Sequence, residues 1–126
     1  MLSIRLVALA LVSVGLSSLA QLAFKYGMMR PEVQSAVASD SWVSRLIGAL
    51  SNPAVLGGFA LYGLSAVLWL LVLSKLDVSV AYPFVALGFV ITLLCGALLF
   101  GEQVSALRIA GTMLICAGVI LVGRSA

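Results

Sequence analysis

Four apolar stretches, at about 3–29, 54–74, 78–100 and 105–122, hold no aspartate or glutamate in their interiors, and this pattern decides the solvent in which the chain can fold. A bilayer core about 30 Å thick needs roughly 20 apolar residues per helical span, so each stretch is long enough to cross it. Of 126 residues, 63% are hydrophobic and only 9% are charged, too few polar groups to cover the surface of a water-soluble domain. The expected fold is therefore an all-α membrane protein with four transmembrane helices, 1–126 forming one domain with no room for a second.

Arg5 followed by the apolar run from Leu6 to Leu16 and then Ser17, Ser18 and Ala20 has the outline of a secretory signal. The apolar pattern continues through Leu22, Ala23 and Phe24, however, so we expect a retained spanning helix that Pro31 closes. In the polar stretch that follows, Trp42, Val43, Leu46, Ile47 and Leu50 recur at helical spacing opposite Ser44, Arg45 and Ser51. That spacing fits either a short helix over 41–51 lying in the headgroup layer or an ordinary connecting loop. Asn52 and Pro53 form a good helix start, Lys75 to Asp77 a tight turn, and Gly101 to Val104 the last turn. Pro83 falls in the first turns of span three and is expected to bend it slightly.

The net charge of +3 comes from seven scattered Lys and Arg residues, a pattern that suits interfacial anchors and not a nucleic-acid-binding surface. Four spans place both termini on one face, with Arg5, Lys75 and Arg124 there and Lys25, Arg30, Arg45 and Arg108 on the other. Three against four leaves the orientation open and permits an antiparallel pair. Cys95 and Cys116 lie mid-span and read as small packing residues; with no histidine in the chain, no metal site or cofactor is expected.

Ser13, Ser17, Gln21 and Lys25 recur every four residues on one face of span one, with Ser18 beside them. Serines in a span usually bond to their own backbone or to a neighbouring helix, the reading we favour for Ser13 and Ser18. Gln21 and Lys25 are costlier to bury and so more informative about function. Lys25 has three open roles: holding a phosphate, reaching the interface with its long side chain, or bracing helix ends by pairing with Glu102. Tyr62, Ser65 and Trp69 form a stripe on span two that either lines a cavity or packs, and the Tyr82 hydroxyl needs a partner near the membrane face. Gly111 and Gly118 lie seven apart on one face of span four, where small residues allow close helix approach, making that face a candidate dimer seam. No nucleophile with a base, phosphate-cradling glycine loop or metal cluster is present, which argues against an enzyme.

The segment LWLLVLSKLDVSVAYP at 68–83, together with AQLAFK at 20–25, resembles the small paired subunits of the undecaprenyl-phosphate aminoarabinose flippase. The end, FGEQVSALRIAGTMLICAGVILVG, is similar to the last helices of the wider EamA and small-multidrug-resistance superfamily. The resemblance implies a multi-pass protein of the bacterial inner membrane, working as a homodimer or heterodimer whose last helices form the seam. In the multidrug branch an essential glutamate lies eight residues before the lysine that corresponds to Lys25; here that position is Ser17. The expectation is thus a subunit that moves a polyprenyl-phosphate-linked sugar or similar phosphorylated lipid. Lys25 would neutralise the phosphate, Gln21, Ser17 and Tyr82 would offer hydrogen bonds, and Trp69 and Tyr62 would shape the wall. The alternatives are a multidrug or small-metabolite exporter and a helper subunit that moves nothing.

Overall fold

A computed structural model describes residues 2–126. Helix α1 (Ile4–Met28) is followed by two short helices, α2 (Pro31–Val37) and α3 (Trp42–Leu50), and by the long α4 (Pro53–Leu73). The third span is composite: α5 (Val78–Ala81), a 3-10 segment (Tyr82–Leu87) and α6 (Gly88–Leu99). Helix α7 (Ala106–Ser125) completes the chain. All four spans have the length and apolarity to cross a membrane, and the chain is a multi-pass membrane protein.

Polar side chains at the helix starts take up backbone donors that lipid could not satisfy. The Ser3 hydroxyl accepts from the Leu6 N–H at 3.2 Å, and Ser105 accepts from Arg108 at 3.2 Å. Asn52 Oδ1 accepts from both Ala54 and Val55, at 2.9 and 3.3 Å, with Pro53 occupying the first helical position where no donor is needed.

The bundle is organised around α1, which packs along α4 on one side and against α6 and the 3-10 segment on the other. Small residues make the α1–α4 approach possible. A Cβ on Gly58 would lie 2.6 Å from the Phe24 ring, and one on Gly27 would lie 2.7 Å from both Asn52 Oδ1 and Val55 Cγ2. At mid-depth the two helices exchange hydrogen bonds: Ser13 Oγ donates to the Ser65 carbonyl at 2.8 Å, and Ser65 Oγ donates to the Ser13 carbonyl at 3.0 Å. Ser18 donates to Val14 of its own helix at 2.8 Å and sits where α6 comes close, 2.9 Å from the position a Cβ on Gly88 would take. Both serines thus have the structural roles their spacing suggested.

Two departures from the expected elements have clear causes. Pro31 does end α1, but its fixed φ also suits a first helical position, and it opens α2 within the stretch read as loop. Span three is not a slightly bent α-helix. Pro83 has no N–H to bond the carbonyl four residues back, and the backbone tightens into six residues of 3-10 helix before Gly88 resumes the α form.

Helix α7 is held mainly by the 3-10 segment, where buried Phe84 lies 3.6 Å from a Cβ built on Gly123 and Val119 is also buried. It is the least covered span, with 6% of its most apolar stretch buried inside the chain against 28% for α1. At the end bearing the termini, Ala10, Val72 and Ala81 form a small buried core flanked by Leu9, Trp69, Leu73 and Leu76. Leu2, Lys75, Asp77 and Ala126 line one cavity there, so both termini share a face with the α4–α5 turn.

Candidate functional site

Between α1 and its two neighbours lie two adjoining cavities that together make a lane along the helix. The first, about 260 Å³, is bounded by Ser13 and Ser17 of α1, Tyr62, Ser65 and Trp69 of α4, and Tyr82 and Val85 of the 3-10 segment. The second, about 420 Å³, is bounded by Ser17, Ser18 and Gln21, by Tyr62, and by Val85, Gly88, Phe89 and Thr92. Ser17, Tyr62 and Val85 border both. From Ser13 to Gln21 the lane follows about 12 Å of α1 at 1.5 Å per residue.

Each wall has a local cause. The four-residue spacing of Ser13, Ser17 and Gln21 keeps them on one face of α1, and the same geometry aligns Tyr62, Ser65 and Trp69 on α4. The third wall depends on the 3-10 segment, which begins at Tyr82 and turns that ring toward the first cavity. Ser17 donates to the Val14 carbonyl at 2.9 Å and Thr92 to the Phe89 carbonyl at 3.2 Å, so each hydroxyl oxygen remains free to accept a hydrogen bond. Tyr62 and Tyr82 are 48% and 65% exposed, so the lane opens sideways toward lipid. No carboxylate borders it.

Five of the six residues named from the sequence as substrate contacts, Ser17, Gln21, Tyr62, Trp69 and Tyr82, border this lane. Trp69 also packs on the small core, so its two readings coexist. Lys25 borders neither cavity: it lies exposed in the last turn of α1, one turn beyond Gln21. Thr92 and Phe89 were not singled out from the sequence; a threonine in the otherwise apolar run of α6 was the available signal.

Lys25 and Glu102 do not form an ion pair; among the described residues the only one is Arg30–Glu32 at 3.5 Å. The Glu102 carboxylate folds onto α6 instead, 2.6 Å from where a Cβ on Gly96 would lie, and its backbone N–H donates to the Gly96 carbonyl at 3.0 Å. It borders a separate α6–α7 groove of about 430 Å³ with Arg108 and Gly111. Beyond the local backbone of α7, nothing in the chain lies within 4 Å of a Cβ built on Gly111 or Gly118. Among the described residues no cluster of His, Cys, Asp or Glu could hold a metal.

Four apolar spans around a laterally open polar lane define a small multi-pass membrane protein. The chain belongs to the family described as "Putative transmembrane family 234", whose model matches residues 25–123, and to that of the 4-amino-4-deoxy-L-arabinose-phosphoundecaprenol flippase subunits. It is 39% identical to the "Probable 4-amino-4-deoxy-L-arabinose-phosphoundecaprenol flippase subunit ArnE" of Pseudomonas aeruginosa (strain UCBPP-PA14), an alignment covering 94% of this chain and 97% of the relative. It is 34% identical to the subunit of the same name from Pseudomonas fluorescens, over 94% and 96% of the two chains. To the ArnF subunit of Shewanella sediminis it is 34% identical, over 96% of this chain and 89% of that one. No solved structure matches the chain at a significant level.

Proposed function

We propose that this chain is one subunit of an inner-membrane transporter that carries a polyprenyl-phosphate-linked sugar, or a similar phosphorylated lipid, between leaflets. The observation that carries this reading is the lane itself: a hydroxyl- and amide-lined path without a carboxylate, open at its side to lipid. A sugar headgroup can exchange its water for Ser17, Gln21, Tyr62 and Tyr82 while the long tail stays in hydrocarbon, where its burial requires nothing of the protein. A carboxylate in the lane would repel a phosphate, whereas a cationic drug exporter needs one to exchange with protons. Ser17 stands where that group would be.

Lys25, exposed one turn beyond Gln21 and outside both cavities, would meet the phosphate past the end of the lane. Its exposed, flexible stem lets it rotate toward the lane end. The relatives' names give both ArnE and ArnF as flippase subunits, and the unpartnered α7 face fits pairing either with a second copy or with a similar small subunit.

The test is translocation of a fluorescent polyprenyl-phosphate sugar in vesicles holding the full chain and its partner subunit. Lys25→Ala is expected to abolish transport while leaving subunit pairing intact. Undiminished transport in that variant would remove the role given to Lys25. Substrate-driven proton release from the solubilised protein would instead favour a drug exporter.

A further inference from the structure

A further cavity, of about 430 Å³, lies at the end of the bundle that carries the termini, beyond the small core on which Trp69 packs. Its mouth is formed by Ser3, Arg5 and Lys75, and its wall by Leu6, Leu9 and Leu76. The two cations come from different elements, the first turn of α1 and the α4–α5 turn, and the fold brings them to one opening. Neither is in an ion pair, because the only pair among the described residues is Arg30–Glu32. Asp77 borders the neighbouring cavity with Lys75 but does not pair with it. The first turn of α1 contains no acidic residue, so the positive helix end adds to the two charges instead of offsetting them.

Arg5 and Lys75 are both exposed, and although Asp77 lies near Lys75 it borders the adjoining cavity and not this one, so an anion at this opening meets two positive groups. The leucine wall beneath specifies more than an anion. It suits a ligand with a charged head and an apolar stem, set at the depth where headgroup meets hydrocarbon. We propose that the Arg5–Lys75 cavity binds the phosphate headgroup of a membrane lipid. Arg5 would grip two phosphate oxygens through its planar guanidinium, and Lys75 would supply a point charge. This site is distinct from the lane and lies about 30 Å along α1 from Lys25, roughly the thickness of the bilayer core. It therefore serves lipid in the leaflet at the face of the termini.

The experiment measures binding of fluorescent phosphatidic acid to the full chain in phosphatidylcholine nanodiscs, with diacylglycerol of the same chains as the phosphate-free probe. Wild type is expected to prefer phosphatidic acid, and the double variant Arg5→Gln with Lys75→Gln to lose about tenfold or more in affinity for it, as two charge-assisted contacts imply. Exchanging the cations, Arg5→Lys with Lys75→Arg, should keep most of the preference, which separates charge from folding. Arg45→Gln, which removes a cation at the other membrane face outside both the lane and this cavity, should bind as wild type, so that a general loss of positive charge and a failed cavity give different results. Retained preference in the double glutamine variant would overturn the proposal, as would displacement of the lipid by millimolar inorganic phosphate, which would make this a site for free anion.

Discussion

Ser13 and Ser65 illustrate how little polar chemistry is needed to fix two helices in lipid. Without a hydrophobic drive between spans, association rests on close packing and hydrogen bonds, and this pair supplies both by exchanging hydroxyl-to-carbonyl bonds at one crossing. Such bonds in membranes average only about 0.6 kcal/mol, so Ser65→Ala should be tolerated. The glycines beneath them are a stronger constraint. A methyl on Gly58 would meet the Phe24 ring at 2.6 Å and the Ala20 carbonyl oxygen at 3.2 Å. Gly58→Ala should therefore cost about 1–3 kcal/mol, read as a lower unfolding midpoint in mixed micelles, with Ser65→Ala as the milder control. The stripe Ser13, Ser17, Gln21 was legible from spacing alone because helical geometry places every fourth residue on one face. That Lys25 stands outside the lane while Thr92 borders it was not legible, since each depends on which neighbour covers which turn.

At the scale of elements, the composite third span has the largest consequence. A regular α-helix rotates about 100° per residue and the 3-10 form 120°, so six residues of the tighter winding turn the following face of α6 relative to α5. This sets Tyr82 and Val85 against the lane while leaving Phe84 to anchor α7. Pro83→Ala restores the missing donor and should let the segment relax toward α-helix, moving Tyr82 away from the first cavity. The expected outcome is a folded protein, normal by circular dichroism, with translocation reduced several-fold. The amphipathic α3 presents Trp42, Val43, Leu46 and Ile47 outward, each more than half exposed, which suits a helix lying in the headgroup layer. Its partner α2 escaped the sequence reading because seven residues carry too little periodicity to distinguish a helical turn from a loop.

For the molecule as a whole, the distribution of burial is uneven in a useful way. Helix α1 is the axis of the bundle, and α7 lies at its edge, secured near its end by Phe84 and Val119 and otherwise open. A lane open on one side and a helix with a bare glycine-bearing face are what one half of a pair would present. We expect Gly118→Leu to abolish subunit pairing, measured by cross-linking in native membranes, while leaving the fold of the single subunit unchanged. The basis is that, beyond the local backbone of α7, nothing in this chain lies within 4 Å of a Cβ at that position. Loss of the fold itself would mean that the face is covered from within.

Membrane residence, the number of spans and the polar face of the first helix are determined by the sequence, because each follows from apolar length or from a fixed helical period. The tertiary structure decided the rest: that α4 and the 3-10 segment flank that face and make a lane of it, that Glu102 turns onto Gly96 and not toward Lys25, and that Arg5 meets Lys75 at one opening. The physical reason is that helical periodicity reports which residues share a face but not which helix will cover it. In lipid that choice rests on small residues and a few hydrogen bonds, whose effect appears only once the backbones have come within contact.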